Sequence, residues 1–367
     1  VRRAAIPILV ACAACSAQTG GSGGPPNVVV VDVREVGRMA QSSSIAGRDG
    51  GESALLFQHS VWAFGDTVLR IQDTDGQTWH HNSFSITDDL TASGGILGLS
   101  ERTDAAGAPL YFLAPTEDEA AFNRAHLGSA RWAVWPGAMV FDAPRERAFI
   151  FYGLVYAQPG DFNFRGVGQS IAVWSAFDSL PERPELSPGT DHPTLLFGEN
   201  ERAFGTAAAV EGEFLYVFAC DKSGLSFPCA VARVESPKTL DRNAWRYFDG
   251  AAWSPSIDRA ANVLDGAPIM GVHFNAYLRR WVAIHSVPLS NEVVLETAES
   301  LEGPWSSSLP LFSADRKGMG GTSYDALPHA ELAEDGGRIE YVTYSRPTGT
   351  GLFDAEFAVV RVQLSVK

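Results

Sequence analysis

Runs of helical period are nearly absent from this chain of 367 residues. That absence argues against a bundle or an alternating α/β fold. Basic residues are also scarce: 28 Lys and Arg stand against 43 Asp and Glu, a formal charge of −15, and no basic cluster lies beyond Val1–Arg3. Nucleic acid is therefore not an expected partner, since its recognition needs a positive footprint. There is no Gly-Xaa-Ser-Xaa-Gly elbow, no HExxH pair and no phosphate loop, so those serine, zinc and nucleotide chemistries have no anchor. Asp73-Thr74-Asp75-Gly76 opens like a calcium loop but lacks the later ligands and final Glu. No metal site and no cofactor are expected, although the axial channel of a ring fold leaves a structural ion open. Present instead are 45% hydrophobic residues, 36 Gly, 21 Pro and 11% aromatics, the make-up of a turn-rich β protein with a sizeable core.

The first 26 residues read as processing and tether. Arg2 and Arg3 form a short positive region, and Ala4–Ala11 form an apolar run too short to span a bilayer. Leu9-Val10-Ala11-Cys12 resembles a bacterial lipobox, which makes Cys12 the expected lipidated residue; an ordinary secretory signal is the alternative. Residues 19–26, TGGSGGPP, form a flexible linker. The expectation is an exported protein, lipid-anchored to the cell envelope or secreted, with no other membrane contact. Cys220 and Cys229 flank DKSGLSFP. In an exported chain they are expected to pair; two buried thiols are the alternative.

From residue 27 to 367 a similar block recurs about every 60–70 residues. Each holds an apolar strand, a turn, a strand rich in Tyr, Phe, Val or Trp, a longer loop and a third strand. The blocks contain SALLFQHSVWAFGDT, GAMVFDAPRERAFIFYGLVY, GTAAAVEGEFLYVFACD, PIMGVHFNAYLRRWVAIHSV and HAELAEDGGRIEYVTYSRP. One such unit cannot bury both its faces, and a closed ring can. The fold class is therefore all-β, a single five-bladed β-propeller, with a sandwich carrying insertions as the alternative. The apolar segment Val28–Val33 could complete the last blade as a buried strand. A monomer is expected.

In such a ring, innermost strands converge on the axis, and polar residues near their ends line a funnel. Arg48-Asp49-Gly50-Gly51 precedes the apolar strand of block one, and Gly65-Asp66-Thr67 follows the next strand. Each alone reads as a turn. Together they can place two carboxylates at one end of a hairpin, which is what glycoside hydrolysis requires. Arg48 beside Asp49 would favour an ionised Asp49. Other candidates for substrate contact are His81 and Asn82 at the last strand of block one, Trp132 and Trp135 in the loop entering block two, and Arg202 before block three. His273, Tyr324 and His329 complete the set in blocks four and five. Several have plain alternatives: His81 and Asn82 as polar loop, the histidines as core, and the two tryptophans as inter-blade packing. Trp174 and Trp281 read as blade core, and Glu117-Asp118-Glu119 as a solvated loop.

The segment AGRDGGESALLFQHSVWAFGDT resembles the opening motif of a bacterial propeller family long labelled a domain of unknown function, which pairs a GRDGG-like turn with a W-x-FGDT hairpin. That family has been linked to endo-D-arabinanases, glycoside hydrolases acting on D-arabinan. The resemblance is strong over about 25 residues, and SLEGPWS extends it loosely. It implies Asp49 as base or nucleophile and Asp66 as general acid, with the roles exchangeable. Its substrate would be a polysaccharide or oligosaccharide of furanoside type. By analogy with other five-bladed glycosidases it implies inversion. One departure is visible: block three offers no inner-strand acid, only Glu199, Glu201 and Arg202 nearby, and blocks four and five offer His. The rival reading is a non-catalytic surface propeller binding glycan or a protein.

Overall fold

The computed structural model describes residues 27–160, 162–318, 323–351 and 353–367; the expected signal, Cys12 and the tether lie outside them. Five separate antiparallel sheets follow one another along the chain. Their innermost strands are Ile45–Leu56, Arg131–Asp142, Ala207–Glu211, Gly271–Asn275 and Tyr324–Pro328. Each touches the inner strand of the next blade, and the fifth touches the first.

The second strands explain why the ring forms. His59–Leu69, Arg147–Ala157, Phe214–Cys220, Arg280–Ser286 and Ile339–Pro347 are buried along most of their length. A strand apolar on both faces needs a neighbour on both faces, and only a ring gives one to every blade. Five apolar layers meet that need. Val61 and Phe84 pack on Val134 and Ile150; Phe151 and Ile171 on Leu215 and Val217. Phe218 and Val231 pack on Val272 and Ala283; Ile284 and Leu295 on Val342 and Val360. Trp62 and Phe64 pack on Tyr341 and Phe357 and close the circle between blades five and one. Trp174 and Trp281 are core, as expected. Cys220 and Cys229 are bonded across adjacent strands of blade three.

Val28–Arg38 pairs with Ala355–Val366 as the outermost strand of the last blade. The N-terminal strand thus clasps the ring, as expected, but it is not buried. It is an edge strand, and Val31 and Val33 are exposed on it. Two other expectations change. Residues 117–119 begin an α-helix, Glu117–Ala125, rather than a solvated loop. Thr116 and Glu119 form a reciprocal capping box, and Glu119 turns inward to Arg183. GRDGG is not a turn before the first inner strand but lies inside it. The turn of that hairpin is Phe57-Gln58, with φ of 51° and 70°. Those angles suit a two-residue hairpin loop, and Phe57 is held there by Phe141, Trp174 and Phe177.

Candidate active site

Two β-bulges create the site. In the first hairpin Arg48 pairs with Thr67 and Gly50 with Phe64, so Asp49 alone stands opposite both Gly65 and Asp66. One step on, Glu52 pairs with Ala63, which leaves Gly51 as the extra residue of the inner strand. Bulges re-aim side chains, and here they turn two turn-like motifs into one cross-strand pair. The glycines are explained by the same geometry. Gly50 and Gly51 have φ of 82° and 102°, which side chains resist. A Cβ on Gly65 would stand 2.5 Å from Asp49 Oδ1. Asp49 therefore lies over Gly65, beside Asp66.

Blade five adds a third carboxylate. Asp325 sits on the inner strand Tyr324–Pro328 with φ of 55°, a left-handed conformation unusual outside glycine. The Gly50 amide donates toward its carboxylate. Asp49, Asp66 and Asp325 are half-buried, and Glu52 stands next along the first inner strand. Burial holds the Asp49 carboxyl well above its ordinary range, and Asp66 and Asp325 push it further. Burial raises Asp325 to about 7 and keeps Glu52 high, with Asp325 adding to the latter. Asp66 is raised less, to about 6, because Arg131 and the Trp135 indole favour its anion. Trp135 Nε1 donates to Asp66 Oδ1 at 3.3 Å. The Arg131 guanidinium lies 3.5 Å over the Trp79 ring. The cluster thus holds protons near neutrality while keeping one member easier to ionise, the arrangement that acid–base catalysis needs.

The expected site residues divide sharply. Asp49 and Asp66 meet. Tyr324 stands beside Asp325 and Asp49, and burial of its hydroxyl end, then their charges, raises its pKa. Trp135 reaches Asp66 from the strand Arg131–Asp142, not from a loop. The others lie elsewhere. Arg48 points to the opposite face of its strand, as alternation dictates, and is 1% exposed. Its guanidinium stacks 3.4 Å over Phe64 and reaches Ser85 and Glu101. It therefore cannot contact substrate, and Asp49 is driven toward its protonated form rather than held ionised.

His81 and Asn82 are buried. Asn82 donates to the carbonyls of Leu113 and Val134 and accepts from the amides of Phe112 and Leu113, clamping that loop to blade two. Burial drives the His81 pKa down to about 3. Trp132 packs against Phe122, Tyr156 and His192. Arg202 is tied to Asn262 and Asp221. His329 is fully buried, bonded to Ser53 and Thr343 and packed on Trp62. His273 lines the axial channel, but its Nε2 meets Glu340 at 3.1 Å, away from the aspartates.

Asp325, Glu52 and Arg131 were not counted among the expected site residues. The expectation that blocks four and five offer His in place of an inner-strand acid is corrected by Asp325. The adjoining Tyr324 was the available signal, but a left-handed aspartate beside the first blade is a tertiary fact. Below these groups runs a channel of about 450 Å³ lined by all five inner strands, including Glu52, Met139, Ala208, His273 and Glu331. Among the described residues no group of three or more His, Cys, Asp or Glu is arranged to hold a metal ion.

A profile described as a domain of unknown function, DUF4185, matches residues 36–330, a span that takes in Asp49, Glu52, Asp66 and Asp325. The chain belongs to the DUF4185 family. The family expectation read from the GRDGG and W-x-FGDT motifs is thus met. No curated protein matches the chain. Among solved structures, this DUF4185 protein is similar to a Bacteroides ovatus protein named as a hydrolase, with 15% identity, TM-score 0.57, and 88% and 87% of the two chains covered. It is also similar to a family 117 glycoside hydrolase of Zobellia galactanivorans, with 10% identity, TM-score 0.51, and 91% and 89% coverage. An exo-β-1,3-galactanase of Phanerochaete chrysosporium matches at 13% identity and TM-score 0.51, covering 91% of this chain and 64% of that one. At such identities the likeness establishes the shared propeller fold.

Proposed function

We propose that this protein hydrolyses a glycosidic bond with Asp49 and Asp66. The observation that carries the reading is the bulged pairing that sets Asp49 against Asp66, with Asp325 beside them. Asp66 is the nucleophile, because Arg131 and Trp135 favour its anion. Asp49 is the general acid, because its surroundings hold its proton. This exchanges the roles implied by the resemblance. In the first step an Asp66 oxygen bonds to the anomeric carbon while the Asp49 proton passes to the departing glycosidic oxygen. In the second, Asp49 takes a proton from water, whose oxygen bonds to the anomeric carbon and frees Asp66.

Placement across one β-bulge on adjacent strands suits the shorter carboxyl separation of retaining enzymes, roughly 5–5.5 Å, over the roughly 6.5–9.5 Å of inverting ones. Retention is therefore proposed in place of inversion. D-arabinan is the first substrate to try, on the strength of the family resemblance. Incubation with a 2-deoxy-2-fluoro glycoside, followed by peptide mass spectrometry, should find the sugar on Asp66. A sugar on Asp49 would reverse the roles. Inverted product by proton NMR would reject retention.

Export and anchoring through Cys12 remain part of the proposal. Val28 pairs with Val366, while Met39 bonds to Phe357 beside Gly51, so Val28–Arg38 runs toward the carboxylate end. A tether leaving before Val28 would turn the site away from the membrane. Palmitate labelling that survives Cys12→Ala would refute the anchor.

A further inference from the structure

We infer that Phe162 and Phe164, with Trp135, form an outer subsite on which a neutral glycan chain stacks. This rests on the hydrolase reading and extends it from the reacting bond to the chain on either side of it. Trp135 is the hinge of the argument. Its indole N–H holds Asp66, and its ring meets Phe164 edge-to-face at 4.8 Å and 78°. The aromatic surface is therefore continuous from the nucleophile outward, with Phe164 one ring further than Trp135.

Exposure separates these rings from their neighbours. Phe162 is 80% exposed and Phe164 47% exposed. Nearby, Trp132, Phe122, Tyr156 and His192 pack on one another and cover their own faces. Phe162 also has φ of 58°, left-handed backbone that an aromatic residue rarely adopts. The loop is tied behind it: Asn163 donates to the Pro159 carbonyl at 2.9 Å and accepts from the Gln158 amide at 2.9 Å. Strained backbone that presents an uncovered apolar ring costs stability without a folding return, a combination found at binding sites.

Charge selects the occupant. Asp49, Asp66, Asp325 and Glu52 crowd the mouth, with Arg131 the cation that acts on Asp66. Arg165, next to Phe164, is bonded to Glu199. A uronate or sulfated chain would bring further anions beside four carboxyls that already resist ionisation, whereas a neutral sugar offers C–H faces to the rings and hydroxyls to the acids.

The test uses the full chain with Asp49→Asn, which should bind without cutting. Its migration is measured by affinity electrophoresis in gels containing D-arabinan, β-1,3-galactan or polygalacturonate. Reducing-end release by the unaltered protein from the same polymers is measured alongside. Adding Phe162→Ala and Phe164→Ala should weaken binding to the retained neutral polymer by about ten-fold or more. Leu225→Ala, an exposed apolar tip on blade three, should leave it unchanged. Equal binding with and without the two phenylalanines, while the unaltered protein cuts, would overturn the subsite and leave the hydrolase standing. Binding to polygalacturonate as tight as to a neutral polymer would overturn the neutral-chain assignment. Neither cutting nor binding of any of the three would bring down the hydrolase reading and the subsite with it.

Discussion

Two groups of acids lie where blade five meets blades one and four, and they are held differently. In one group, Glu331 and Glu340, each acid accepts from neutral side chains. Glu340 accepts from Asn275 at 2.6 Å and meets His273, while Glu331 accepts from Ser53 and Ser60 at 2.5 and 2.8 Å. His329 bridges Ser53 and Thr343. At the mouth burial raises Asp49, Asp66 and Asp325, the charges of Asp66 and Asp325 raise Asp49 further, and Arg131 relieves Asp66. Burial raises Glu331 too, but hydrogen bonds from Ser53 and Ser60 oppose it; polar networks of this kind fix a fold, whereas crowded carboxylates with fewer such partners cost stability and are kept for chemistry. The difference separates structural acids from candidate catalytic ones without appeal to sequence likeness.

The contrast can be broken in four ways. The largest effect concerns turnover. Asp49→Asn and Asp66→Asn should each lower kcat by about a thousand-fold or more, while Glu331→Gln stays within a few-fold. The reverse pattern, read by reducing-end release, would exchange the meaning of the two groups. Next comes stability. His329→Ala removes two buried hydrogen bonds and a ring packed on Trp62, and should cost about 2–4 kcal/mol in urea unfolding. Asp49→Asn should cost nothing measurable.

The third is pH-dependent. Asp325 has a folded pKa raised from 3.8 to about 7, so the folded state binds the extra proton. Its stabilising contribution is complete below pH 3.8 and is lost as pH rises through 7. Asp325→Asn should therefore gain on the order of 1–2 kcal/mol over the parent at pH 8 and nothing at pH 3.5, in thermal melts at both. A gain of equal size at both pH values would remove the explanation by burial of its charge. The smallest effect is on the acid limb of kcat/KM, expected near the Asp66 value of about 6. Arg131→Gln should move that limb upward by less than about one pH unit. A downward shift would show that Arg131 does not act on Asp66.

Much of the fold was legible because its cause is local. The doubly apolar second strands and the recurring hairpins dictate a ring, and an apolar segment at the N-terminus dictates a closing strand. That this strand is exposed was not legible, since the same VVVVDV pattern serves an edge or a centre. Asp49 and Asp66 were found because glycine-flanked aspartates at both ends of one hairpin meet by topology alone. Arg48 was misread because strand alternation sends it away from its neighbour. His81, Asn82 and His329 were misread because buried hydrogen-bond partners come from other blades. Asp325 was missed for the complementary reason: its position depends on blade five closing against blade one.

The central claim is that the Asp49–Asp66 pair cuts glycosidic bonds. Purified protein should release reducing ends from at least one neutral polysaccharide, D-arabinan first, and Asp66→Asn at equal concentration should release none above background. Equal release by the parent and by Asp66→Asn, or none by the parent from any neutral polymer, would contradict it.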